Sequence, residues 1–141
     1  MRDLFKGRAT ALQLMFTGCS ATCPIQGALF AEVQAKLAAT SHWPLQLVSA
    51  SIDPVGDTPS AMQAWLKQFS AGSRWHGVIP AAKAVDPWLD FLAGRAVGAD
   101  KHTGQVYFFN HRAELVLRTV DFPKPDEVAK LLAQLGQKTP R

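Results

Sequence analysis

The sequence predicts an α/β fold, a central mixed sheet flanked by helices. Three observations predict it. Apolar runs of strand length alternate with stretches of helical periodicity through most of the chain. Two short β-type runs joined by a turn follow. An amphipathic helix comes last. Strands linked through helices argue parallel pairing at the start, and a hairpin argues antiparallel pairing at the end.

Residues 9–16 (ATALQLMF) read as a buried strand. Residues 25–37 read as a helix, with Ile25, Leu29, Val33 and Leu37 at four-residue spacing. Residues 45–52 (LQLVSASI) read as a second buried strand, closed by the turn composition of residues 53–57, DPVGD. Thr58-Pro59 looks like a helix cap followed by proline at the first helical position. Met62, Trp65, Leu66 and Phe69 then mark one helical face. Residues 75–79 form a candidate short strand, and Val85, Trp88, Leu89 and Leu92 repeat the helical spacing. QVYFF (105–109) and residues 115–120 flank the turn Asn110-His111-Arg112-Ala113 as a hairpin. Val128, Leu131, Leu132 and Leu135 mark the final helix. The resulting order, β-α-β-α-(β)-α-β-β-α, is the outline of a thioredoxin-like domain.

At 141 residues, the chain is expected to form one domain over 1–141 with a substantial core. Only residues 136–141 suggest disorder. The net charge is +4, but the fifteen Lys and Arg are scattered and form no run. Nucleic-acid binding, which needs a clustered basic patch, is therefore not expected. No signal peptide is visible. The uncharged stretch 9–31 is long enough to raise a membrane span, yet Gln13, Thr17, Gly18, Ser20, Thr22, Pro24 and Gln26 interrupt it. A soluble chain is expected, compatible with the soluble part of something longer.

Cys19 and Cys23 are the only cysteines, in FTGCSATCP at the first strand-to-helix junction. The free N–H groups and dipole of a helix start favour thiolate over thiol. Pro24 fits the first helical position, where a missing N–H costs nothing. The plainer reading is two buried cysteines serving as small apolar filler. Two further stretches accompany the pair: SIDPVGDTP (51–59), ending the second strand, and Asp100-Lys101-His102-Thr103, just before the hairpin.

Together the three stretches resemble the Sco (SCO1/SenC) family of copper-binding, thioredoxin-fold proteins. That family shows F-x-T-x-C-x-x-x-C-P, S-V-D-P-x-x-D-T-P, and D-H before a Y-L-I-D strand. The likeness runs from Lys6-Gly7 to the final helix. Lys101 separates Asp100 from His102, where the family more often has the pair adjacent. Gly18 replaces a larger polar residue, and the hairpin turn is not an acidic Pro-x-Gly type. The family's membrane anchor and N-terminal hairpin are expected to be absent, or reduced to residues 3–8.

The resemblance implies one copper ion, Cu(I) or Cu(II), on Cys19, Cys23 and His102. Two thiolates and an imidazole are a soft set suited to Cu(I) and able to hold Cu(II). No fourth protein ligand is evident, which argues against a closed zinc site. The implied function is that of a metallochaperone for the dinuclear copper centre of cytochrome c oxidase. The implied partners are the copper-centre subunit of that oxidase and another copper chaperone or a thioredoxin-like reductase. The implied location is the periplasm, on its own or as a membrane-associated protein facing it, with the mitochondrial intermembrane space the weaker choice. The alternative is a thiol-disulfide oxidoreductase in which Cys19 and Cys23 are the catalytic pair and His102 is dispensable. A peroxidase would need an arginine beside one activated cysteine, and none is identifiable. An interaction domain with inert cysteines is the last reading.

The other candidates have structural readings. His42, His76 and His111 are expected to be structural or solvent-facing. Asp53 and Asp57 are most simply turn and capping residues, with a secondary role near the copper loop as the alternative. Met15, Trp65 and Trp88 are expected in the core. Gly94, Gly98 and Gly104 give segment 94–104 the freedom to move as metal is loaded or released.

Overall fold

The computed structural model describes residues 2–18, 23–40, 43–96 and 101–140. Five strands, β1 (Ala9–Met15), β2 (Leu45–Ser51), β3 (Trp75–Val78), β4 (Tyr107–Phe109) and β5 (Leu115–Arg118), form one sheet in the order β3-β2-β1-β4-β5. β1 pairs with β2 and β2 with β3 in parallel, while β4 pairs antiparallel with both β1 and β5. The predicted α/β class, its parallel start and its antiparallel end are all present, and the architecture is thioredoxin-like.

Every residue of β1 and β2 is buried, because helices cover both faces of these strands. Side-chain alternation divides β1 between two cores. Ala9, Ala11 and Met15 join Leu29, Phe30 and Val33 of α2 (Cys23–Lys36). Met62, Trp65 and Leu66 of α3 (Pro59–Gln68) and Val128 and Leu132 of α5 (Pro125–Gln137) complete that side. Leu12 and Leu14 join Phe5 of a short α1 (Arg2–Phe5) and Leu89 and Leu92 of α4 (Val85–Leu92) on the other. Met15 and Trp65 are buried as expected, and Trp88 is half-buried against the second core.

Three features differ from the sequence reading. Ile25 does not share the buried stripe of α2; it is 55% exposed, while Gln26 and Phe30 are buried. A strict four-residue step advances about 40° beyond a full turn, so such a row winds off one face of the helix. α1 was not anticipated, since four residues carry no usable period. The C-terminal residues are ordered further than expected: α5 runs to Gln137, and the buried Thr139 donates its hydroxyl to the Leu135 carbonyl at 2.9 Å.

Candidate metal centre

Parallel β1 and β2 deliver their C-terminal ends to the same edge of the sheet. Met15 and Ser51 are register partners there, and Ile52 N–H donates to the Met15 carbonyl at 2.9 Å. Beyond that bond, β1 leaves the sheet towards Cys19. Cys19 lies outside the described residues. Cys23 opens α2 and Pro24 is its second residue, one position later in the helix than the sequence predicts; the Cys23 side chain is outside the description. The first turn of α2 carries no acidic residue, so no carboxylate there offsets the positive end of its dipole.

His102 is the predicted ligand that the structure does place. It is 4% exposed and forms an isolated antiparallel bridge with Arg95. Its ring meets Phe16 edge-on, with centroids 6.0 Å apart. Phe16 precedes Cys19 by three residues. The fold therefore carries a histidine from the far end of the chain to the start of the cysteine loop. Nδ1 of His102 lies 2.9 Å from the Thr103 carbonyl oxygen. A carbonyl only accepts, so Nδ1 carries the proton, and in the neutral ring Nε2 holds the lone pair. A carbonyl that fixes the tautomer and ring plane is the usual support of a metal-binding imidazole.

The His102 segment is braced on both sides. Ala96 N–H donates to the Lys101 carbonyl at 3.2 Å, and Thr103 N–H to the Gly94 carbonyl at 2.9 Å. The Thr103 hydroxyl meets the Tyr107 hydroxyl at 2.8 Å. Gly104 N–H donates to Asp121 Oδ1 at 2.7 Å, and Phe122 N–H to the Gly104 carbonyl at 2.9 Å. The Phe122 ring covers Gly104 so closely that a Cβ there would lie 2.7 Å from it. Glycines suggested freedom in segment 94–104. At this position glycine instead permits a tight aromatic lid. Residues 97–100, Asp100 and Gly98 among them, lie outside the described residues.

Two carboxylates of SIDPVGDTP have separate fates. Asp53 is a turn residue as expected, its Oδ1 accepting from Gly56 N–H at 3.0 Å. Asp57 is more than a cap. It is 4% exposed and accepts from Thr17 N–H (3.0 and 3.3 Å to its two oxygens), the Thr17 hydroxyl and the Ser51 hydroxyl (2.5 Å). The motif contains two acidic residues, and only tertiary packing distinguishes the buried one.

His76 and His111 lie away from this edge. His76 pairs with Val48 across β2 and β3; burial first, and the charge of Arg8 second, push its pKa down. His111 sits in the β4–β5 turn, and His42 lies outside the described residues. Arg95 is the arginine nearest in the backbone to His102, but its guanidinium engages Asp86 at 3.0 Å and Asp90 at 3.1 Å. That leaves it unsuited to activate a peroxidatic cysteine. Among the described residues no helix is long and apolar enough to cross a membrane. Nor, among the described residues, which do not include Cys19, do three or more His, Cys, Asp or Glu side chains converge.

A family model described as SCO1/SenC matches residues 2–137. Among solved structures, Arabidopsis thaliana ScoI with copper bound is similar at 17% identity and a TM-score of 0.79, covering 97% of this chain and 88% of that one. Bradyrhizobium japonicum ScoI with copper bound is similar at 20% identity and a TM-score of 0.78, with 95% and 88% covered. BsSco, described by a disulfide switch and as a member of the Sco family of cytochrome c oxidase assembly proteins, is similar at 16% identity and a TM-score of 0.79, with 96% and 84% covered. At such identities these likenesses carry the fold. No curated protein matches the chain significantly.

Proposed function

Because this chain belongs to the SCO1/SenC family, we propose that it is a copper metallochaperone carrying one copper ion on Cys19, Cys23 and His102. It hands that ion to the dinuclear copper centre of cytochrome c oxidase, working in the periplasm. The observation that carries the reading is His102, buried against Phe16 at the start of the cysteine loop with its tautomer set by the Thr103 carbonyl. Copper-bound relatives of the same fold support the choice of metal.

The roles follow from the chemistry of the three groups. The two thiols each give up a proton to become the soft thiolate donors Cu(I) prefers. His102 supplies a neutral imidazole held in one orientation. Three donors leave a position through which an acceptor's ligand enters. Oxidation of the pair to a disulfide removes two electrons and both thiolates, so metal and disulfide exclude one another.

The test is an anaerobic Cu(I) titration of the reduced protein against a competing chelator. One equivalent should bind tightly. Cys19→Ala and Cys23→Ala should abolish tight binding, and His102→Ala should weaken it at least tenfold, or about 1.4 kcal/mol. Wild-type affinity in either cysteine variant would show the site to be misassigned.

A second reading is a thiol-disulfide oxidoreductase. The C-x3-C pair at the start of a helix without first-turn acids favours it. Dithiol exchange that survives His102→Ala in a protein unable to compete for Cu(I) would replace the copper reading with this one.

A further inference from the structure

We propose that Asp57 is a positioning residue for Cys19. It fixes where the cysteine loop leaves the sheet, and so sets both metal affinity and thiol reactivity. The inference rests on the proposed function for its copper arm alone.

The argument begins where the β-ladder stops. The last bond between β1 and β2 joins Ile52 N–H to the Met15 carbonyl. Thr17 lies beyond it, with no strand partner. Its backbone N–H and its hydroxyl both donate to the Asp57 carboxylate. The same carboxylate accepts from Ser51 at the end of β2, and Asp57 N–H donates to the Asp53 carbonyl at 2.8 Å. Thr58, the next residue, caps α3 by accepting from Ala61 N–H at 3.1 Å. One buried side chain thus ties the exit of β1 to the end of β2 and the start of α3.

Thr17 and Cys19 are two residues apart. Two peptide units span about 7.6 Å at most, so the position of Thr17 bounds where Cys19 can lie. A ligand set needs its groups held within about half an ångström of productive geometry. His102 has braces of its own through Thr103, Gly104 and Phe122, besides its contact with Phe16. Loosening Asp57 therefore shifts Cys19 more than the histidine, which keeps its bonds on the Thr103 side. The donors to Asp57 are one amide and two hydroxyls, and none of the ion pairs among the described residues involves it. Its role is geometric, and Asp57→Asn weakens it: an amide has one accepting oxygen where the carboxylate has two, so the Thr17 donors and the Ser51 hydroxyl cannot all be accepted as before.

The experiment compares wild type with Asp57→Asn, Thr17→Val, Thr17→Ser and Cys19→Ala. Folding is checked by circular dichroism and thermal melting. Two readouts follow: Cu(I) affinity by chelator competition, and the pH profile of alkylation at the Cys19 peptide by mass spectrometry. Folded Asp57→Asn should bind Cu(I) about tenfold more weakly, the lower end of what loss of a ligand's direct hydrogen-bond partner costs. Its Cys19 alkylation profile should shift along the pH axis. Thr17→Val should move both readouts in the same direction, and Thr17→Ser should restore them. A folded Asp57→Asn with wild-type affinity and profile would overturn the inference. Should Asp57→Asn fail to fold, identical behaviour of Thr17→Val and Thr17→Ser would overturn it equally. Wild-type Cu(I) binding by Cys19→Ala would sink the three-ligand reading instead, and the alkylation profile would still decide the role of Asp57.

Discussion

At the scale of single residues, burial separates groups that the sequence leaves alike. His76 and His102 share the same side chain. His102 has a carbonyl on Nδ1 and an aromatic edge at its ring, whereas His76 is half-buried on β3 near a positive charge. Desolvation penalises its imidazolium, so its folded pKa lies below the unfolded value near 6.5. The stability this contributes is present above that unfolded value and is lost as pH falls through the folded one. Denaturant melts between pH 7.5 and 5 should show falling stability, and His76→Gln should flatten the slope. Equal slopes would deny His76 that role. His102 was legible as a candidate because it lies two residues after Asp100 and just before the predicted hairpin. Asp57 was legible only as turn chemistry, since its partners Thr17 and Ser51 reach it through folding.

Caps and helical faces belong to the scale of elements, where the sequence was most readable. Thr58-Pro59 states its cap locally, and the structure makes that bond to Ala61. Thr58→Ala should cost about 1 kcal/mol, read as a lower urea midpoint with unchanged slope. A loss below 0.3 kcal/mol would mean Pro59 and packing hold α3 without the cap. α2 was harder to read, because apolar residues lie on more than one of its faces. Ile25 is exposed, while Gln26 and Phe30 point inward. Phe30→Ala, at 0% exposure against Trp75, should cost about 3–5 kcal/mol in the same assay. Ile25→Ala should be near neutral. Comparable losses in the two variants would contradict the observed face.

At the scale of the whole molecule, the proposed function couples copper to stability. A ligand that binds only the folded state raises the melting temperature with its free concentration. The reduced protein should melt higher as free Cu(I) is buffered upward, and the disulfide form should not respond. Affinity should also rise with pH, because binding releases thiol protons. Chelator competition at pH 6 and 8 checks the sign; a pH-independent affinity would count against thiolate ligands.

The sequence by itself determined the element order from β1 onwards, the parallel and antiparallel pairing, the cap of α3, and the stretches that betray the family. These are local patterns: a period, a turn, a spacing between cysteines. Only the tertiary structure decided which acidic residue of SIDPVGDTP is buried, which face of α2 turns inward, and what holds His102. Each of those depends on neighbours distant in sequence: Asp57 on Thr17, and Gly104 on Asp121 and Phe122. Such partnerships leave no period and no spacing in a single chain, because the geometry that creates them exists only after the sheet has assembled.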